Sequence, residues 1–77
     1  MTEPVLLDVK GLDCPMPLLK AKKALNEMDP KSLLKVLATD PGSVKDFEVF
    51  SRQSGNALLE SRLEGDTYIY VLRKKSP

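Results

Sequence analysis

The chain has 77 residues, of which 42% are hydrophobic, enough for one small domain with a single core and too little for several domains. Its twelve basic and eleven acidic residues nearly cancel to a net charge of +1, so overall charge gives no argument for binding nucleic acids or membranes. With one cysteine and no histidine, the sequence excludes an internal disulfide and a Cys–His catalytic pair, and it shows no ligand cluster for a metal.

The first residues do not have the pattern of a secretory signal. Glu3 and Pro4 stand where a signal peptide has basic residues before an apolar stretch. No apolar run approaches the roughly 18 residues needed to span a bilayer. We therefore expect a cytoplasmic protein without a membrane segment, and a lone reduced thiol agrees with that compartment.

A change of hydrophobic period predicts the first strand and the first helix. Residues 5–10 alternate, with Val5, Leu7 and Val9 on one side, which is typical of a half-buried strand. Residues 15–28 then have an apolar stripe at helical spacing. The stripe consists of Leu18, Ala21, Ala24, Leu25 and Met28.

The middle of the chain repeats this strand–helix order. Residues 33–39 are rich in Leu and Val and predict a second strand. Asp40 followed by Pro41 predicts a helix start, with Asp40 as the N-cap acceptor and Pro41 at the first helical position. Gly55 predicts the end of this helix. Its apolar side carries Val44, Phe47 and Phe50, with Ser51 extending the same side.

The last third of the chain predicts a hairpin. Residues 57–64 form a third strand, with Ala57, Leu59 and Leu63 on one side. After a tight turn, residues 67–73 form a fourth strand that is apolar on both sides. Either this strand is central in the sheet, or its outer face meets a partner.

Together these elements predict an α+β fold in the order β-α-β-α-β-β. We expect a two-layer α/β sandwich, in which two helices cover one face of a four-stranded mixed sheet. One domain should span residues 1–77, with its ordered core at about 4–74 and Ser76 and Pro77 frayed. Nothing in the sequence requires a dimer, and we expect a monomer.

The only cysteine lies where the first helix begins. Unpaired backbone N–H groups and the helix dipole are expected to lower the pKa of the Cys14 thiol below its ordinary value of about 8.5. Pro15 and Pro17 fall in the first turn, where they remove no helix hydrogen bond and hold the loop in one shape. Free cysteines are usually buried and inert, but the flanking Asp13 and Pro15 favour exposure here. The pattern favours a nucleophilic thiol, with a structural Cys14 as the alternative.

Apolar and basic side chains beside the cysteine predict a contact surface on the first helix. An apolar pair rimmed by lysines is typical of a transient interface. The predicted partner-binding residues are Met16, Leu19, Lys20 and Lys23. The alternative is an ordinary solvated helix face.

The sequence Gly-Leu-Asp-Cys-Pro-Met-Pro at residues 11–17 resembles the Cys-Pro-x-Pro motif of the TusA-like (SirA-like) sulfur carrier family. The resemblance extends over residues 7–74 and includes the Asp-Pro pair at 40–41 and Tyr70 in the closing strand pair. Met16 stands where some members have an acid, so the particular partners of those members are not carried over.

The resemblance implies a function and a mechanism. Cys14 would accept a persulfide sulfur from a cysteine desulfurase or a similar donor and hand it to an acceptor protein, with Pro15 and Pro17 shaping the loop. Destinations known in the family are tRNA thiolation, molybdenum-cofactor enzymes and sulfur oxidation. No metal or organic cofactor is implied. Such a protein is a sulfurtransferase-type carrier rather than a self-sufficient enzyme, because its partners supply any acid or base.

Two other classes of function remain open. One is a small RNA-binding module, which the near-neutral charge and the presence of only two tyrosines and two phenylalanines disfavour. The other is a regulatory interaction domain with an inert cysteine, which a slow alkylation rate of Cys14 would favour.

Overall fold

The computed structural model describes residues 3–75, so the predicted fraying of Ser76 and Pro77 lies outside the described residues. The order of elements is β-α-β-α-β-β, as predicted. The elements are β1 (Val5–Asp8), α1 (Met16–Asn26), β2 (Leu33–Ala38), α2 (Ser43–Ser54), β3 (Ala57–Glu64) and β4 (Thr67–Arg73). Within residues 3–75, neither helix is long and apolar enough to cross a membrane.

The four strands form one mixed sheet in the order β1-β2-β4-β3. β1 and β2 are parallel, whereas β4 is antiparallel to both β2 and β3. β4 is therefore central, which explains why it is apolar on both sides. Tyr70 and Leu72 are fully buried on one face, and Ile69 is only 5% exposed on the other.

Both helices cover one face of this sheet, and the core lies between the two layers. α1 contributes Ala21 and Leu25, and α2 contributes Phe47. The sheet contributes alternate residues of β2 and β4, as expected for strands with one buried face. The fully buried residues from the strands are Leu34, Val36, Ala38, Tyr70 and Leu72. The predicted α+β two-layer sandwich is confirmed.

The parallel pairing of β1 and β2 brings the starts of the two helices together. Each of these strands is followed by a helix, and the carboxyl ends of adjacent parallel strands lie at the same edge of a sheet. The loops at 9–15 and 39–42 therefore leave that edge side by side. This arrangement places the segment with Cys14 next to the first turn of α2.

The boundaries of the first two elements differ slightly from the prediction. α1 spans Met16–Asn26 rather than 15–28, although Met28 still packs against the core. β1 ends at Asp8, yet Val9 is buried and its N–H donates to the Leu37 carbonyl at 2.8 Å. Pairing with β2 thus continues one residue past the regular strand.

The predicted start of α2 was wrong. Its N-cap is Gly42, with no side-chain cap, because Pro41 and Gly42 form a turn before the helix. Asp40 contributes its backbone carbonyl instead of its carboxylate. That carbonyl accepts from the Ser43 N–H at 3.1 Å and from the Ser43 hydroxyl at 2.7 Å.

The predicted alternation of β3, with Ala57, Leu59 and Leu63 on one side, is interrupted. A register shift between Leu58 and Glu60 places Leu58 opposite Leu72, where it packs against the core. Such a bulge changes which side chains face inward. Leu59 at the shift is 53% exposed, and Leu63 near the end of this edge strand is 56% exposed.

Candidate functional site

Cys14 lies in the loop that leads into α1, and its side chain is exposed. Pro15 is the N-cap residue of α1, so the sulfur lies one residue before the helix cap. This agrees with the location expected from the sequence and removes the main structural alternative, a cysteine packed inside the core.

The thiol has a hydrogen-bond partner on the other helix. The Cys14 Sγ–H donates to the Asp46 Oδ2 at 2.8 Å. Asp46 lies in the first turn of α2, and the neighbouring Phe47 is completely buried. The packed helix therefore fixes the backbone that carries the carboxylate.

The prediction of a lowered thiol pKa was wrong. The pKa of Cys14 is raised above its ordinary value, first by the hydrogen bond to Asp46, then by desolvation and by the charges of Asp46 and Asp40. A hydrogen bond to the protonated form and negative charges nearby both disfavour the thiolate. At this helix start, the two carboxylates outweigh the helix dipole.

A buried polar chain supports the loop next to Cys14. The Ser43 hydroxyl donates to the Asp40 carbonyl at 2.7 Å and lies 2.6 Å from the Tyr70 hydroxyl. Because the Ser43 proton goes to Asp40, Tyr70 is the donor in the second bond. The Tyr70 ring stacks on Phe47 with a centroid distance of 4.4 Å. The loop before α2 is thus tied to the centre of the sheet.

Gly42 brings the backbone of this loop close to the cysteine. A Cβ at Gly42 would lie 3.0 Å from Asp40 Oδ2 and 3.8 Å from the Cys14 Cβ. Among residues 3–75, Asp40 Oδ2 is a buried side-chain oxygen without a hydrogen-bond partner. The site therefore has two carboxylates near one thiol, and of these two only the Asp46 carboxylate accepts a hydrogen bond from the sulfur.

The two prolines that flank Met16 have different environments. Pro15 is exposed at the helix cap, whereas Pro17 is buried against the core. Pro17 therefore anchors the first turn of α1 by packing, while Pro15 restricts the backbone next to the sulfur.

The four predicted contact residues lie on one face of α1. Their spacing of three, four and seven residues from Met16 defines a single stripe on a helix. Met16 is 41% exposed and Leu19 is 47% exposed. Lys20 and Lys23 are also exposed. The stripe is accessible to a partner that approaches the start of α1.

A groove of about 210 Å³ runs between the two helices and reaches Asp46, the hydrogen-bond partner of the Cys14 thiol. Leu18 and Phe50 supply apolar surface, and Asp46 lines the groove as well. The ammonium of Lys22 lies over the Phe50 ring, 5.6 Å from its centroid. The remaining lining residues are Lys45, Val49 and Gln53.

Sequence reasoning missed Asp46, Ser43 and Tyr70 as parts of this site. Asp46 is 32 residues from Cys14 in the chain, and its carboxylate meets the sulfur only because β1 and β2 are parallel neighbours. The signal that could have pointed to it is an acid in the first turn of the second helix, combined with that strand pairing.

Residues 5–74 match the family described as "Sulfurtransferase TusA". The chain is 53% identical over 68 residues to the sulfur carrier protein TusA of Allochromatium vinosum, covering 88% of this chain and 90% of that protein. It is 41% identical to the protein of the same name from Pseudomonas paraeruginosa, covering 99% of each.

A solved structure agrees with the fold. The SirA-like protein from Desulfitobacterium hafniense superposes with a TM-score of 0.81, covering 94% of this chain and 99% of that one, at 22% identity. With the sequence match over residues 5–74 and relatives of nearly equal length, the chain belongs to the TusA sulfurtransferase family.

Proposed function

We propose that this protein is a sulfur carrier that accepts a persulfide sulfur on Cys14 and passes it to an acceptor protein. Family membership and relatives named as sulfur carriers support this role. The observation that carries it is the exposed Cys14 thiol at the start of α1. A thiol in that position can be approached by the sulfur of another protein without opening the fold.

The loading step is a thiol exchange. The Cys14 sulfur attacks the terminal sulfur of a donor persulfide, so a new S–S bond forms as the donor's own S–S bond breaks. The donor leaves as a thiol that takes up the proton lost by Cys14. No net oxidation or reduction takes place. The donor in this proposal is a cysteine desulfurase or another protein that bears a persulfide.

The chain itself supplies little acid–base chemistry for this step. It has no histidine, and the carboxylate next to the sulfur keeps the thiol protonated. A donor must therefore bring its persulfide close to Cys14 and supply the means of removing the thiol proton. This requirement fits a carrier that reacts within complexes with its partners rather than with small molecules in solution.

The stripe formed by Met16, Leu19, Lys20 and Lys23 is the proposed partner surface. It begins two residues after Cys14, and its apolar members are exposed. Lysines around an apolar pair favour a partner with an acidic rim, because opposite charges accelerate encounter and orient the complex. Pro15 and Pro17 are proposed to hold the thiol at the end of this stripe. The acceptor in this proposal belongs to a sulfur-using route such as tRNA thiolation, molybdenum-cofactor enzymes or sulfur oxidation.

Intact mass spectrometry after incubation with a cysteine desulfurase and cysteine tests the loading step. We expect the protein to gain one sulfur, and we expect a reductant to remove it. Cys14→Ser should gain none. A wild-type mass that stays unchanged with several desulfurases and other persulfide donors would contradict the proposal.

A further inference from the structure

The carboxylate of Asp46 contacts the Cys14 sulfur, which is a thiol before sulfur transfer and part of a persulfide after it. In the empty protein, the Cys14 Sγ carries a proton and donates it to Asp46 Oδ2 at 2.8 Å. The salt bridges among residues 3–75 do not include Asp46. Its negative charge therefore acts on the sulfur without being neutralised by an ion pair.

Loading removes this hydrogen bond. In the persulfide, Sγ is bonded to carbon and to the terminal sulfur, so it has no proton to donate. Persulfides are more acidic than thiols, and the terminal sulfur therefore carries a negative charge at neutral pH. Asp46 now faces an anion, and Asp40 adds a second negative charge from the neighbouring loop. The same carboxylate stabilises the empty state and destabilises the loaded one.

We propose that Asp46 biases the carrier toward releasing its sulfur, because it binds the empty thiol and repels the loaded persulfide anion. This inference rests on the proposed sulfur-carrier function. The raised pKa of the Cys14 thiol supports it, since the hydrogen bond to Asp46 is the largest cause of that change. Asp46 is a positioning residue in this account, acting through the sulfur and not on a partner.

The release step balances without an oxidant or reductant. The acceptor thiol attacks the terminal sulfur, and the S–S bond to Cys14 breaks as the new S–S bond forms on the acceptor. The proton of the acceptor thiol passes to the Cys14 sulfur. That proton restores the hydrogen bond to Asp46, so formation of this bond favours the products.

The equilibrium of sulfur between the protein and glutathione tests the proposal. Protein is mixed with a glutathione–glutathione persulfide pair at neutral pH, and intact mass spectrometry gives the ratio of loaded to empty protein. Asp46→Asn should raise this ratio roughly fivefold. This is the effect expected in water from removing a unit charge about 4 Å from the negatively charged terminal sulfur. Glu48→Gln removes an exposed acid from the same helix and should leave the ratio unchanged.

Alkylation of the empty protein by iodoacetamide provides a second readout. Without the carboxylate, Asp46→Asn should react several times faster than wild type at neutral pH, whereas Glu48→Gln should not differ from it. Asp46→Ser removes the same charge with a different side chain, and circular dichroism verifies that each variant is folded. The proposal is overturned if folded variants without the Asp46 charge hold no more persulfide than wild type.

The equilibrium with glutathione persulfide involves no protein donor or acceptor. Because glutathione persulfide supplies the sulfur chemically, a failure of desulfurases to load the wild-type protein would count against the proposed function alone. An unchanged glutathione equilibrium in the Asp46 variants, with normal loading by a desulfurase, would count against the role of Asp46 alone.

Discussion

At the level of single residues, the Cys14 thiol is subject to two opposing influences. The start of α1 favours a thiolate, whereas the hydrogen bond to Asp46 and the charge of Asp40 favour the protonated thiol. The carboxylates prevail because Asp46 contacts the sulfur directly, while the helix dipole acts over a turn of exposed backbone. The sequence indicated the first influence, since proline and helix signals are local. It held no local signal for a partner 32 residues away.

The buried hydroxyl of Tyr70 predicts a loss of stability at high pH. The pKa of Tyr70 is raised, chiefly by burial of its hydroxyl. A raised folded pKa means that the stabilising contribution is complete below the unfolded value of about 10 and is lost as pH rises through the folded pKa. We therefore expect the free energy of unfolding, measured with urea, to decrease above about pH 10.

Tyr70→Phe is the variant that tests this assignment. It should be less stable at pH 7 by about 1 kcal/mol, because the Ser43 hydroxyl loses a buried donor, and its stability should depend less on alkaline pH. The comparison belongs in a Cys14→Ser background, since the pKa of Cys14 is raised as well. If the parent protein and the Tyr70→Phe variant lose the same free energy of unfolding at alkaline pH, groups other than Tyr70 cause the loss.

At the level of helices and strands, the sequence predicted an element boundary correctly where the backbone conformation of a single residue determines it. Gly55 was predicted to end α2, and it does so with φ of +84° and an N–H that donates to the Ser51 carbonyl at 3.1 Å. Asp40 was predicted to cap the same helix and does not: Pro41 and Gly42 form a turn, Gly42 is the N-cap, and no side chain donates or accepts a capping hydrogen bond there. The bulge at Leu59 also had no local signal, since the pairing with β4 produces it.

Gly55→Ala should destabilise the protein by about 1 kcal/mol, because a side chain in the left-handed region is strained. Asn tolerates that region better, so Gly55→Asn should cost less than Gly55→Ala. Urea denaturation of the three proteins measures the difference. If the alanine variant were as stable as wild type, Gly55 would not be required for this helix end.

At the level of the whole molecule, the sequence predicted the fold class, the element order and the single core. These follow from hydrophobic periods, which each segment carries by itself. The strand order was only partly predictable: the two apolar sides of β4 indicated either a central strand or a face that meets a partner, and the structure shows a central strand. The site was predicted as one exposed cysteine on a loop, but the acidic residues around it depend on the parallel pairing of β1 and β2.

Reversing charge on the α1 stripe should slow sulfur transfer from a protein donor. We expect the double variant Lys20→Glu and Lys23→Glu to load about tenfold more slowly at low ionic strength, with a smaller difference at high salt, since exposed charges are screened. Alkylation of Cys14 by a small uncharged reagent should change much less. The time course of loading by a desulfurase, followed by intact mass, measures the effect.

A matched control places the same change in charge on the opposite side of the molecule. Lys35 and Arg73 alternate with buried neighbours in β2 and β4, so they lie on the sheet face that the helices do not cover. Lys35→Glu with Arg73→Glu should load at the wild-type rate. Equal slowing of both double variants would indicate an effect of net charge and would contradict a partner surface on α1.

One complete cycle of loading and discharge tests the central proposal most directly. Protein loaded by a desulfurase with ³⁵S-cysteine is separated from the enzyme and mixed with an acceptor thiol, and the label is followed by intact mass and autoradiography. We predict that the label enters as one sulfur on Cys14, leaves intact on the acceptor, and that the recovered protein can be loaded again. A label that never enters, or that enters but cannot be transferred to any thiol, would contradict a carrier role for Cys14.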